Sequence, residues 1–140
     1  MSSKMVIVAR ADLNMRKGKL GSQIGHAVQK VFFDRMKYEY ERCDNDIYSQ
    51  VFRTYFTKEM LKWLTWKEGQ EGFTKIVLGC DSEEELLKIK RLADEAMIPN
   101  AIILDNGVTE FHGVKTYTCI ALGPDDVEKI DKITGGYKLL

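Results

Sequence analysis

Strand-like runs alternate with helical patterns along most of this 140-residue chain, and that alternation restricts the fold more than any other feature. Met5, Val6, Ile7, Val8 and Ala9 are uninterrupted apolar residues, as expected of a strand covered on both faces. This first strand, roughly Lys4 to Arg10, leads through a basic loop into a helix from about Lys19 past Lys30. A second strand is predicted at Thr74 to Gly79. Ser82-Glu83-Glu84-Glu85 then reads as a capping box, in which the serine caps the helix and Glu85 reaches back. The helix it opens carries Leu86, Ile89, Leu92, Ala93 and Ala96 on its apolar side and stops before Pro99. A third strand, Ala101 to Leu104, meets the turn signal Asp105-Asn106-Gly107, and a fourth runs from Thr116 to Leu122. Pro124 is expected to start a short last helix with Asp125 and Asp126 in its first turn, ended by Gly135-Gly136. Helical crossovers of this kind imply an α/β protein with a mainly parallel sheet. The short link between the third and fourth strands lets those two pair antiparallel, so the sheet is expected to be mixed.

The length suits one domain, residues 1–140, with one substantial core. Lysine plus arginine number 21 and aspartate plus glutamate 21, so no global field draws the protein to nucleic acid, and an anionic ligand needs a local basic patch. Cys43, Cys80 and Cys119 are odd in number and lack metal spacing, which points to reduced thiols in a cytoplasmic protein. Cys80 and Cys119 end strand-like runs and are expected to behave as small hydrophobes. No apolar stretch approaches the ~18 residues a membrane span requires.

Residues 32 to 72 crowd aromatic side chains together: Phe32, Phe33, Tyr38, Tyr40, Tyr48, Phe52, Tyr55, Phe56, Trp63 and Trp66. Aromatics usually pack inward, so a helical pair extending the core is expected here. Asp44-Asn45-Asp46 would be the break, and Thr57 would cap the second helix. The other reading is an aromatic surface for stacking bases or meeting a partner.

The chemistry gathers after the first strand. Lys19, Gln23, His26 and Lys30 follow one another at offsets of four, three and four, which lays them along one helical stripe. Leu20, Ile24, Ala27, Val28 and Val31 form an apolar stripe suited to packing on a sheet. Arg16, Lys17 and Gly18 precede the helix, and free backbone N–H groups beside cations attract an anion such as phosphate. The loop is neither a Walker loop nor a dinucleotide fingerprint. In open α/β sheets ligands bind beyond the carboxyl ends of the strands, where both this loop and the Asp105 to Thr109 turn can lie. Gly18, Ser22 and Gly25 make a stripe of small residues, most simply explained by close packing of helix on sheet. Read singly, His26 is a structural histidine, Asp105 a turn residue, and Thr109, Thr116 and Thr118 ordinary strand residues. Together they outline a cationic pocket holding a histidine, an acid and hydroxyls.

At these residues the chain resembles the archaeal-and-eukaryotic (type 2) peptidyl-tRNA hydrolase family. Arg10, Asp12, Leu13, Met15, Gly18, Lys19, Gln23, His26 and Ala27 correspond to the family's opening motif. Asp105, Gly107 and Thr109 match its aspartate–glycine–threonine turn. Thr118, Ala121, Gly123 and Pro124 resemble its last strand, and Ile130-Asp131-Lys132, Thr134-Gly135 and Lys138-Leu139-Leu140 its ending. The stretch from Phe32 to Gly72 takes no part in this likeness.

The resemblance implies a three-layer α/β/α sandwich around a four-stranded mixed sheet. It also implies hydrolysis of the ester between a nascent peptide and the 3′ end of tRNA, with no metal or organic cofactor. Carried over, the active-site set is Lys19, His26, Asp105, Thr109 and Thr118, with Gln23 beside it. A near-neutral imidazole suits a general base, so that role falls to His26, with Asp105 orienting it or the water. Thr109, Thr118 or Lys19 would stabilise the oxyanion. Arg16, Lys17 and Lys19 would hold phosphates of the tRNA acceptor end. The sequence departs from the family at Ser22 and Gly25, where alanines are common, and in a Thr109-to-Thr118 loop one residue longer than usual. Thr116 is the other candidate for the family threonine; Thr118 keeps register with Gly123-Pro124. His112, in that loop, is expected at the surface. The aromatic segment would form a lid, a tRNA contact or the face of a homodimer. The alternative function is a non-catalytic relative that binds RNA or a protein through the same pocket.

Overall fold

The structure is a computed structural model that describes residues 2–42, 48–64 and 72–140. The apolar run at the start forms the central strand β1 (Ser3–Arg10), and its side chains divide between two cores. Met5, Ile7 and Ala9 enter one cluster with Ala27 and Val31 of helix α1 (Lys17–Phe33) and Met60 and Trp63 of helix α2 (Lys58–Leu64). Val6 and Val8 enter the other with Leu86, Ile89 and Ala93 of helix α3 (Glu83–Glu95) and Ile130 of helix α4 (Val127–Thr134). Period-two alternation in β1 thus gives helices to both faces of the sheet.

Strand β1 is followed by a 3-10 turn, Ala11–Leu13, before α1 begins. The remaining strands of the main sheet are β4 (Lys75–Cys80), β5 (Asn100–Asp105), β6 (Thr116–Asp126) and β7 (Lys138–Leu139), in the order β5-β6-β1-β4-β7. Two expectations are corrected here. The sheet has five strands, not four, because the chain end adds β7 against β4 at Leu78↔Leu139. It is mixed but not mainly parallel, since β1–β4 is its one parallel pair. The crossovers do point β1, β4 and β5 the same way. However, β6 slots antiparallel between β5 and β1, so β5 never meets another strand of its own direction.

The expected helical pair is also corrected. Residues Lys37–Arg42 and Tyr48–Arg53 form strands β2 and β3, paired antiparallel with Tyr38 opposite Phe52 in a separate two-stranded sheet. Tyr38, Tyr40, Phe52 and Tyr55 are exposed, and Tyr38 stacks edge-on against both Tyr40 and Phe52. Phe32, Phe56 and Trp63 do pack inward. Thr57 caps α2 as expected, accepting from the Met60 N–H at 3.1 Å. The Asp44-Asn45-Asp46 break, Cys43 and Trp66 lie outside the described residues.

Ser82 caps α3 by accepting from the Glu85 N–H at 3.2 Å, and Glu85 accepts from the Asp81 N–H at 2.7 Å. Pro124 does not start a helix: it lies in β6, and α4 begins three residues later with Asp126 as its cap. Gly123 has φ +95°, and a Cβ there would sit 2.6 Å from the Lys4 carbonyl oxygen, so only glycine fits at this bulge in β6, where Gly123 and Pro124 lie opposite the single residue Met5. Cys80 and Cys119 are buried, and burial pushes their thiols up to about 11 and about 12, in keeping with small apolar residues.

Candidate active site

Because β1, β4 and β5 share a direction, the carboxyl ends of β1 and β5 lie at the same edge of the sheet, where β6 begins. Three distant segments meet there. Helix α1 contributes Lys19 and Gln23, the end of β5 contributes Asp105, and the following loop and β6 contribute Thr109 and Thr118. The Lys19 ammonium donates to Asp105 Oδ1 and to Thr109 Oγ1, each at 2.8 Å. The Gln23 amide donates to the same carboxylate oxygen at 3.3 Å, while Thr118 donates its hydroxyl to Gln23 Oε1 at 2.7 Å. The second carboxylate oxygen accepts from the Gly107 N–H at 2.9 Å. Gly107 holds φ +80°, and a Cβ there would run into the backbone of Val114, so glycine is required for the turn to close under Asp105.

The Lys19 ammonium, with further help from the Gly107 N–H and the Gln23 amide, holds the Asp105 carboxyl below its ordinary range against the opposing effect of burial. Asp105 is therefore an acceptor on both oxygens at neutral pH. That fixes the direction of its neighbours: the Gln23 nitrogen must face the carboxylate, so its oxygen faces Thr118, and Thr118 must donate. Thr118 is fully buried and Gln23 is 2% exposed, which places both beneath the site and not on its surface. Lys19 and Asp105 keep 12% side-chain exposure each, and Thr109 is exposed. Of the two candidate threonines, Thr118 joins this network; Thr116 turns its hydroxyl to the Val114 carbonyl.

The remaining predicted residues lie around this network. His26 is exposed one helical turn beyond Gln23, where its Nε2 lies 3.3 Å from Ser22 Oγ. Among the described residues no hydrogen bond joins it to Asp105, so the carboxylate orients Lys19 and Gln23 instead. His26 and Ser22 border an open depression of about 710 Å³ that also takes in Ile24, Gly25, Val28 and Gln29 of α1 and Lys75 at the start of β4. Close packing does not explain the small residues: a Cβ added at Gly18, Gly21 or Gly25 would meet nothing within 4 Å. Arg16 and Lys17 are exposed at the start of α1, which has no side-chain cap, leaving its first N–H groups free for an anion. Lys30 pairs with Asp34 at 2.9 Å, ~20 Å along the helix from Lys17, and is not brought to the site. His112 is exposed in the loop, with φ 51°.

Sequence reasoning missed two residues at the site, one beside Lys19 and one beside Arg16. Phe111 lies with its ring centroid 5.4 Å from the ammonium, and Glu110 is 3.8 Å from Arg16. Both sit in the lengthened loop, where no pattern marks them. Among the described residues no cluster of three or more histidine, cysteine, aspartate or glutamate side chains has the geometry to hold a metal ion. No helix there is long and apolar enough to cross a membrane.

Comparison with known proteins adds an independent line. The family model described as "Peptidyl-tRNA hydrolase PTH2" matches residues 3–140, running through the aromatic segment that the motifs passed over. A protein named peptidyl-tRNA hydrolase from Thermoplasma acidophilum is 39% identical over 140 residues, covering the whole of both chains. One of the same name from Sulfurisphaera tokodaii is 40% identical, again over the whole of both. One from Methanocaldococcus jannaschii is 39% identical over 98% of this chain and 99% of its own. Coverage and identity of this extent settle the kinship: the chain belongs to the peptidyl-tRNA hydrolase PTH2 family.

Proposed function

We infer that this protein cleaves the ester joining a peptide to the 3′ end of tRNA, releasing the peptide acid and a free tRNA. Full-length relatives named for this activity support it. The observation that carries it is the Lys19 ammonium, held at 2.8 Å by both an ionised Asp105 and an exposed Thr109 at the mouth of the site. A fixed cation and a hydroxyl side by side suit a carbonyl oxygen that becomes an oxyanion.

In this reading His26 takes a proton from water as the water oxygen attacks the ester carbon. The bond from that carbon to the ribose oxygen breaks, and the imidazolium returns the proton to the departing oxygen. Lys19 and Thr109 stabilise the charge on the carbonyl oxygen meanwhile. Asp105 keeps the ammonium in place, and Gln23 and Thr118 keep Asp105 in place from below. Arg16, Lys17 and the free N–H groups at Gly18 face the phosphates of the acceptor end. The whole chain acts as one unit, in the cytoplasm where tRNA is charged and used.

The test is release of labelled tRNA from peptidyl-tRNA by the purified protein and by His26→Ala. The wild type is expected to release it, and the variant to lose most turnover with an unchanged unfolding midpoint. Tight tRNA binding with no release by the wild type would make the protein a non-catalytic binder, and near-normal release by the variant would remove the base from His26.

A further inference from the structure

The imidazole assigned as the base is not held by the acid that the motif suggests, which leaves the question of what orients it. Its one hydrogen-bond partner among the described residues is Ser22, one turn earlier on α1, with Oγ 3.3 Å from Nε2. Gln29 and Lys75 line the same depression as His26, but neither hydrogen-bonds the ring. Gly18, Gly21 and Gly25 lie on one flank of the ring, where an added Cβ would find no neighbour within 4 Å, and Gln29 and Lys30 follow on the next turn. An exposed ring with no second hydrogen bond would otherwise sample several rotamers.

We propose that Ser22 is a positioning residue for hydrolysis, holding the His26 ring through Nε2 so that Nδ1 is left to act on water. This rests on the reading of His26 as the base. The polarity follows from the inventory of the two groups. A neutral imidazole has one N–H and one lone pair. If Ser22 donated to Nε2, the ring's only lone pair would be occupied and no base would remain. When the serine oxygen accepts the Nε2–H, the lone pair on Nδ1 stays free for the proton of water. The same acceptor still serves after that proton arrives, because the imidazolium carries N–H groups on both nitrogens. Ser22 therefore keeps its bond throughout the cycle and exchanges no proton itself. It touches the base and not the ester, so it acts through His26.

The experiment compares kcat and KM on peptidyl-tRNA for the wild type, Ser22→Ala, Ser22→Thr, His26→Ala and the Ser22→Ala/His26→Ala pair. Loss of a neutral, exposed hydrogen bond predicts a drop in kcat of about three- to tenfold for Ser22→Ala, with KM unchanged. Ser22→Thr, which keeps the hydroxyl, is expected to recover most of it. In the His26→Ala background, removing the serine hydroxyl is expected to change nothing further, which an independent structural effect would not produce. Alanine is a better helix former than serine, so a fall in kcat cannot be put down to unfolding. Wild-type kcat in Ser22→Ala beside an inactive His26→Ala overturns the positioning role alone. An equal loss in both backgrounds overturns it too, as does a Ser22→Ala variant as inactive as His26→Ala, since the serine would then be a nucleophile. Near-normal activity in every variant overturns the base assignment beneath it.

Discussion

Replacing Thr118 by valine tests whether the buried half of the site is a matched pair. Valine keeps the shape of threonine but removes the hydroxyl that donates to Gln23 Oε1 at 2.7 Å. Gln23 is 2% exposed and Thr118 fully buried, so no water replaces the lost donor. An unsatisfied buried acceptor costs about 1–3 kcal/mol. Each kcal/mol moves Tm by about 3–5 °C in a domain of this length, so Thr118→Val is expected to lower Tm by about 3–15 °C. Gln23→Met strands the threonine hydroxyl instead and also removes the bond to Asp105, with a similar or larger loss. In the Thr118→Val/Gln23→Met pair both polar partners are gone and the space is filled with hydrocarbon, which is close to neutral. The double variant should therefore be more stable than the sum of the singles by about 1–2 kcal/mol. Urea unfolding with a constant m-value measures the cycle. Strict additivity would refute the claim that these two side chains form one unit.

Two further outcomes follow from charge. The folded Asp105 titrates below its ordinary value, so its contribution to stability is present above about pH 4 and is lost as pH falls through the lower folded value. Asp105→Asn should therefore flatten the acid limb of stability between pH 6 and 3, read as urea midpoints; an unaltered limb would show that Lys19 does not set its protonation. Arg16→Ala with Lys17→Ala should weaken tRNA binding at low salt and reduce the slope of log affinity against log salt by about 0.7–0.9 for each phosphate contact removed. An unchanged slope would place the phosphates elsewhere.

What the sequence made legible was local. An uninterrupted apolar run located β1, which is covered on both faces, and apolar periodicity located α1 and α3, each of which buries one well-marked face. The Ser82 and Thr57 caps could be named from their hydroxyls. Strand order was not legible. Nothing in β6 marks it as the strand that enters between β5 and β1, and β7 is two residues long, too short to carry a pattern. The hairpin was legible and misread: Lys37-Tyr38-Glu39-Tyr40 alternates with period two, the signature of a strand, but the density of rings suggested a core. Those rings meet one another across and along the hairpin, which is how a two-stranded sheet gains stability without a core beneath it.

At the site the offset of four set Lys19 and Gln23 on one stripe, apart from the apolar stripe and without foretelling that Gln23 is buried, and the Asp105-Asn106-Gly107 turn supplied the acid. The roles were harder to see because they depend on who donates. Among Asp105, Gln23 and Thr118 only the carboxylate has a fixed polarity, and burial transmits it: an ionised acceptor turns the Gln23 amide, and the amide turns the Thr118 hydroxyl. A motif names these residue types without ordering them. The order also explains why Thr118 cannot serve the oxyanion, since its one proton is committed inward, whereas Thr109 accepts from Lys19 and keeps its own proton free. An amide at position 105 removes the fixed end, and Gln23 and Thr118 can then both reverse. The Asp105→Asn variant thus differs from the wild type in the polarity of the buried chain as well as in charge, and it should release Lys19 without emptying the space beneath it.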